Sequence, residues 1–258
     1  SSTANGTTAP AAPTSPAAAA SDGSTSISIT WVDNSSTESG YQVERSDTGA
    51  GGWSVVSGTL SPGVQQYTDP VGTHSVTRYY RVRAIRAGDG VESAYTSTVN
   101  AKTCPAAPSG LTVVAVDGSY NLSISWTDNS SDESSFSLER SNNGSSGWAE
   151  IATPAAGATS ATDSSIGAGD TTRYYRIRAI RSSDGIDSAY SSNANATTSP
   201  QAPTSFAASI SDLIPSLTWA DNSSTNTSYV LERKLGSGSY STIANPTANA
   251  TSYTDGAL

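Results

Sequence analysis

The chain has 258 residues, with 13 basic against 22 acidic side chains, a net charge of −9, one cysteine and no methionine. An acidic balance excludes a general grip on a phosphate backbone, which needs a basic face, so no nucleic-acid partner is expected. No run approaches the roughly 18 apolar residues of a membrane-spanning helix, so no membrane insertion is expected, and the Ser-, Thr-, Asn- and Gly-rich composition suits short strands joined by polar turns.

In chain order, the first feature is a repeat. Ser1 to Pro10 lies over Ser191 to Pro200 with seven of ten letters identical, so residues 1–8 read as the last-strand remnant of a preceding repeat. Pro10, Pro105 and Pro200 open P-x-x-P stretches, and Trp31, Trp126 and Trp219 each end a strand-like run before an Asp-Asn-Ser-Ser tetrad. The period is about 95 residues, enough for one small sandwich domain. The expected repeats are residues 9–103, 104–198 and 199–258. The third lacks its last two strands, since Ser252 to Leu258 matches Ser160 to Ile166 and no RYYR stretch follows. A window cut from a longer array is the expected explanation. Completion of the third repeat by a neighbour's N-terminus, as in strand addition, is the alternative.

Each repeat reads as seven short strands, clearest in the second. Leu111 to Val116 is a first edge strand, with proline confined to its approach. Leu122, Ile124 and Trp126 alternate with polar residues in the second strand, as do Ile27, Ile29 and Trp31. Pro215 takes the place of Ile27 in the third repeat and is expected to weaken that strand or shift its start. After the polar loop Asp128 to Ser134, a third strand carries Phe136, Leu138, Glu139 and Arg140, matched by Tyr41 to Arg45 and by Tyr229 to Arg233. Trp148 to Ile151 and Thr159 to Asp163 follow as the fourth and fifth strands. The sixth is the most constant: RYYRVRAIR from Arg78 to Arg86 returns as RYYRIRAIR from Arg173 to Arg181. A period of two puts Tyr80, Val82 and Ala84 on one face and Tyr79, Arg81 and Arg83 on the other. A Gly-bearing turn and a closing strand, Ala189 to Thr197, complete the repeat. The expected fold is all-β, a tandem of seven-stranded antiparallel β-sandwiches with the third incomplete.

The proline-led first strand, the tryptophan ending the second, W-x-D-N-S-S before an aromatic-x-V/L-E-R strand, and Y-R-V/I-R-A in the sixth resemble a fibronectin type III domain of the bacterial extracellular kind. The resemblance covers essentially the whole chain. It implies a tyrosine corner at the head of the sixth strand, filled by Tyr80 and Tyr175, each bonding back to the preceding turn.

Little in the sequence suggests chemistry. The Asp-Asn-Ser-Ser loops with a following Glu (Glu38, Glu133) have some look of a calcium site, but the EF-hand glycine and its spacing are missing. Asp and Asn capping their own backbone is the expected role. His74 is the only histidine, so no Ser-His-Asp set or metal cluster assembles, and neither catalytic residues nor a cofactor or metal is expected. Cys104, replaced by Ala9 and Ser199 in the other copies, reads as an incidental small linker residue. Eight of the thirteen basic residues lie in the two RYYR strands, where Arg81 and Arg176 are expected to meet Glu44 and Glu139. Trp31, Trp126, Trp219, Tyr80 and Tyr175 form the expected structural core. Trp53, Trp148, Arg81, Arg83, Arg176 and Arg178 are the candidate surface-contact set, either as cation–π pairs or as a grip on a glycan. The loops after the sixth strands lack an Arg-Gly-Asp order, which argues against integrin binding. Nine Asn-x-Ser/Thr sequons, including Asn34, Asn129, Asn143, Asn195, Asn222 and Asn249, make a glycoprotein conceivable.

The expected role is non-enzymatic: a semi-rigid spacer within a long extracellular or cell-surface fibre, filament or adhesin stalk, with neighbouring repeats as partners. The alternatives are the spacer of a secreted polysaccharide-degrading enzyme with weak glycan binding, and a viral fibre.

Overall fold

The computed structural model describes residues 8–256, and every regular element in them is a β-strand. The expected remnant strand at residues 1–8 therefore falls, except for Thr8, outside the described residues.

In the first unit β1 (Thr14–Ala19), β2 (Ile27–Val32) and β5 (Gln66–Asp69) form one antiparallel sheet in the order β1-β2-β5. The facing sheet contains β3 (Gly40–Ser46), β4 (Ser54–Val55), β6 (Thr77–Arg86), β7 (Val91–Glu92) and β8 (Val99–Lys102). Its order is β4-β3-β6-β7, and β8 also pairs with β6. The second unit repeats this plan. There β9 (Ser109–Ala115), β10 (Leu122–Thr127) and β13 (Ser160–Asp163) lie against β11 (Ser135–Ser141), β12 (Ala149–Ala152), β14 (Thr172–Ile180) and β15 (Ala194–Thr197), ordered β12-β11-β14-β15. In the third, β16 (Thr204–Ser211), β17 (Ile214–Ala220) and β20 (Ser252–Thr254) face only β18 (Leu231–Arg233) and β19 (Ser241–Ala244) among the described residues.

Alternation decides which side chains fill the space between the sheets. Ile27, Ile29 and Trp31 from β2 meet Tyr41 and Val43 from β3 and Tyr80, Val82 and Ala84 from β6. Leu122, Ile124, Trp126, Phe136, Leu138, Tyr175, Ile177 and Ala179 make the equivalent cluster in the second unit. Burying each large member contributes roughly 1.5 to 3 kcal/mol, so these eight positions per unit hold the sandwich shut. Trp31, Trp126 and Trp219 pack against the aromatic ring that follows the tetrad loop, at 5.6 Å from Tyr41, 5.7 Å from Phe136 and 5.4 Å from Tyr229 between centroids. The outward tyrosine of each YY pair is also placed. Gly49 and Gly144, both at φ +73, lie so close to Tyr79 and Tyr174 that a Cβ would come within 2.7 Å of the ring.

Several local readings change. Around Pro215 the start of the strand shifts by one residue, to Ile214, without shortening it: β17 spans seven residues. Asp212 and Leu213, with φ of 51° and 65°, make a two-residue hairpin that fixes Ser211 opposite Ile214. The Pro215 carbonyl still accepts from the Asp255 amide at 2.9 Å. Regular pairing of the last strand covers only Ala194–Thr197, rather than Ala189 to Thr197. Upstream, hydroxyls replace half of the ladder. The Ala179 amide donates to Ser188 Oγ at 2.8 Å and the Ile177 amide to Ser191 Oγ at 3.2 Å, while the amides of both serines donate back to the same two residues' carbonyls. Ser93 and Thr96 do the same for Ala84 and Val82. In the third unit Tyr229 precedes rather than joins β18, and Phe206 on β16 is 66% exposed, because the two-stranded sheet opposite leaves β16 uncovered.

Candidate functional site

Two arrangements recur at equivalent places and are built from charged side chains: the outer face of the larger sheet and the joints between units. Both follow from the β6/β14 strand. Its inward residues are core and its outward residues are arginines.

On the outer face, register sets Glu44 directly opposite Arg81 and Gln42 opposite Arg83, and likewise Glu139 opposite Arg176. Arg81 Nε and Nη2 both donate to Glu44 Oε2, at 2.9 and 2.7 Å. Its guanidinium carbon lies 4.4 Å from the Trp53 ring centroid and 3.8 Å from that of Tyr95, so both faces are covered. The Tyr95 hydroxyl donates to the other Glu44 oxygen at 2.7 Å. Arg83 caps Tyr95 at 5.0 Å and pairs with Glu92. The second unit reproduces each contact. Arg176 lies 4.5 Å from Trp148 and 3.8 Å from Tyr190, Glu139 accepts from Arg176 Nε at 2.8 Å and from Tyr190 at 2.5 Å, and Arg178 lies 5.1 Å from Tyr190. Burial alone would raise the Glu44 and Glu139 pKa values, but the tyrosine and arginine hydrogen bonds outweigh it and hold both below the ordinary glutamate range. Burial, then the glutamate bond, raises Tyr95 and Tyr190. The arginine edge and both its faces are thus engaged inside the protein, an arrangement that stiffens the sheet.

The structure therefore brings Trp53, Arg81 and Arg83 together, and Trp148, Arg176 and Arg178. Sequence reasoning missed Tyr95 and Tyr190, which complete the stacks. Their signal is the Ser-Ala-Tyr triplet that recurs at the repeat spacing, Ser93 to Tyr95 and Ser188 to Tyr190. Trp31, Trp126, Trp219, Tyr80 and Tyr175 are all buried. The two tyrosines do not bond to a turn's backbone. Tyr80 donates to Asp69 Oδ2 and Tyr175 to Asp163 Oδ2, each at 2.8 Å, and Arg45 and Arg140 pair with the same carboxylates at 3.0 and 2.7 Å.

In the tetrads the aspartates take the expected capping role and the asparagines do not. Asp33, Asp128 and Asp221 accept from the amide two residues on, as Asx turns do. The asparagines instead tie each loop to the approach of the unit's first strand. Asn34 Nδ2 donates to the Ala12 carbonyl and Thr14 Oγ1, Asn129 to Ala107 and Ser109, and Asn222 to Ala202 and Thr204. Those three sequon amides are thereby committed to the fold. Among the described residues no group of three or more His, Cys, Asp and Glu side chains could hold a metal ion.

At the joint between the first two units, Arg181 directly follows β14 and its side chain is only 2% exposed. Its Nη1 donates to the Thr103 carbonyl at 2.9 Å and Asp132 at 2.8 Å, its Nη2 to the Lys102 carbonyl at 3.2 Å and Asp184 at 2.8 Å. Asp132 also receives Lys102 Nζ at 2.7 Å and the Ser75 hydroxyl at 2.7 Å, both from the first unit. Burial would raise its pKa, but those donors carry it far below the usual carboxylate range. The Asp22–Gly23 turn adds Gly23 N to the Asp187 carbonyl at 2.9 Å, and the Asp187 amide to Asp22 at 2.9 Å. Cys104 is accordingly no loose linker residue. It is fully buried, its Sγ is 3.4 Å from His74 Nδ1, its carbonyl accepts from Ser75 at 3.0 Å, and burial pushes the thiol up. Arg86 makes the matching contact one unit earlier, donating to the Thr8 carbonyl at 2.7 Å.

With two sheets per unit in this order, the chain is a tandem of antiparallel β-sandwiches. No family model and no curated protein matches the chain. Solved structures do. The FN1–FN3 domains of chicken CNTN1 align at 13% identity over 96% of this chain and 88% of that one, with a TM-score of 0.35. An Fn3-like protein from Clostridium thermocellum aligns at 25% identity over 37% of this chain and 94% of its own, with a TM-score of 0.33. A segment of two fibronectin type III domains from chicken tenascin aligns at 12% identity over 72% and 99%, with a TM-score of 0.39.

Proposed function

We propose that this chain is a semi-rigid spacer and scaffold, a stretch of a longer extracellular or cell-surface fibre, filament or adhesin stalk whose partners are neighbouring repeats. The observation that carries this reading is the Arg181 clamp. A guanidinium with this many protein acceptors, buried between two units, fixes their relative orientation in a way that a free linker cannot. Pro105 and Pro108 in the linker are both buried, and their fixed φ removes further freedom. Work in such a protein consists of holding a distance, and two stacked arginine ladders per chain stiffen the bodies that hold it.

Nitroxides placed at the exposed Ser61 and Ser145, in a Cys104→Ser background, test the reading by pulsed electron resonance. One narrow distance distribution is expected. A broad one spanning tens of ångströms would sink the spacer assignment.

The half-buried Trp53 and Trp148 favour one second reading, the accessory module of a secreted polysaccharide-degrading enzyme with weak glycan affinity. Retarded migration of the chain in polysaccharide-containing gels, lost on Trp53→Ala and Trp148→Ala, would support it.

A further inference from the structure

The two joints use the same positions with opposite polarity. At the first, position 75 of the leading unit is a serine, and its hydroxyl donates to the carboxylate of Asp132 on the following unit's loop. At the second, the equivalent leading position is Asp170, and its carboxylate accepts from the Ser223 hydroxyl at 2.8 Å and from Thr225, which stands where Asp132 stands. Ser75 and Asp170 share a left-handed backbone, φ 57° and 55°, so either residue fits the same local geometry. A third position varies with them. Lys102 reaches Asp132 from the leading unit at 2.7 Å, and where the following unit offers Thr225 the equivalent of Lys102 is the neutral Thr197.

We infer that these three positions form a matching rule that decides which unit follows which: a carboxylate on one side of a joint requires hydroxyl or ammonium donors on the other. A first-unit tail, Ser75 with Lys102, fits an acidic loop like that of the second unit. A second-unit tail, Asp170 with Thr197, fits a hydroxyl loop like that of the third. Two second units in succession would set Asp170 against Asp132 with no lysine from the leading unit, leaving only Arg181, which is already shared with Asp184 and two carbonyls, to offset a like-charge contact that selects against the pairing. The loop of the first unit carries Thr37 at this place, so its upstream face takes an acidic tail of the second-unit kind. In the sequence, Thr7 occupies the position shared by Lys102 and Thr197 and is neutral like Thr197. Serially joined units are the premise taken from the spacer reading. The rule adds that the series has an order.

Cys104 offers a native reporter, because the only thiol in the chain is buried at the first joint. Ser75→Asp with Lys102→Thr gives the first unit a second-unit tail facing Asp132. Labelling of Cys104 by a disulfide reagent is expected to accelerate about tenfold, as the repelled joint opens. Adding Asp132→Thr recreates the pairing of the second joint and is expected to bring the rate back to within about twofold of the original, with the tryptophan-monitored melting curve of each unit retained throughout. Unchanged labelling in the double variant overturns the rule. So does acceleration that Asp132→Thr fails to reverse, since that marks damage to the first unit rather than a mismatched joint. A narrow nitroxide distance in the unaltered chain together with either of these outcomes would leave the spacer reading standing and remove only the ordering.

Discussion

Replacing Tyr175 by phenylalanine removes one hydroxyl and leaves the packed ring in place, so its cost isolates one hydrogen bond. That bond runs 2.8 Å to Asp163, a carboxylate 3% exposed. Burial, then the bond to Asp163, keeps the phenol protonated by pushing its pKa far up, so it serves as a donor at every accessible pH. Asp163 would retain Arg140 at 2.7 Å and the Ser165 amide and hydroxyl at 3.0 and 2.7 Å, and is therefore not orphaned. The expected loss is that of one hydrogen bond to a charged group, about 1.5 to 3 kcal/mol. In a module of about 95 residues, each kcal/mol moves the midpoint by roughly 4 to 8 °C, so the second unit's transition should fall by at least about 6 °C. Calorimetry of the whole chain, with guanidinium titration to confirm an unchanged slope, provides the measurement. Tyr174→Phe on the outer face is the control, because no bond to a buried carboxylate is lost there. A drop under about 2 °C for Tyr175→Phe, or an equal drop for Tyr174→Phe, would refute the argument that this carboxylate needs its phenol.

Three further outcomes follow from the same geometry. Asn129→Ala removes both ties from the loop to the approach of β9, and should cost about 1 kcal/mol; hydrogen exchange should rise first across Ser109–Ala115 rather than across β11. Trp148→Ala uncovers one face of Arg176 but leaves Glu139 and Tyr190 in place, so it should destabilise the second unit by about 0.5 to 1 kcal/mol, well below the roughly 3 to 5 kcal/mol expected for Trp126→Ala in the core. Denaturant midpoints of the three variants against the unaltered chain decide both claims. For pH, the folded pKa values of Asp132, Asp163 and Glu139 are all depressed, because hydrogen-bonded donors outweigh burial. A depressed carboxylate contributes stability above its unfolded pKa of about 4 and loses it as pH falls toward the folded value. Stability measured by urea titration should therefore stay flat from about pH 7 to 5 and decline from about pH 4 downward.

How much of this was legible in the residues depends on the distance over which each signal acts. The core followed from alternation alone: Ile27, Ile29 and Trp31 sit where a period of two puts them, because one face of a strand must leave water. The pairing of Arg81 with Glu44 followed from strand adjacency. Tyr95 was harder, since it lies in an irregular stretch after β7 and reaches Arg81 only through the folded hairpin. The partner of Tyr80 differs from the expected turn backbone for a related reason. Asp69 ends a strand of the opposite sheet, and no spacing in the sequence announces a bond between layers. The joints were least legible. Asp132, Lys102 and Arg181 meet only across the joint, and Cys104 reads as incidental because His74 and Ser75, its contacts, lie about thirty residues away along the chain.

The serine and threonine hydroxyls that finish the β6 and β14 ladders carry a consequence for crowding. Any filament that strings many near-copies of one sheet together brings identical open margins to high local concentration, the setting in which strands trade places between neighbours and chains misassemble. Because Ser93, Thr96, Ser188 and Ser191 occupy the amides there with side-chain oxygens, an incoming strand finds those donors already taken. Each bead can then fold beside its siblings without borrowing from them.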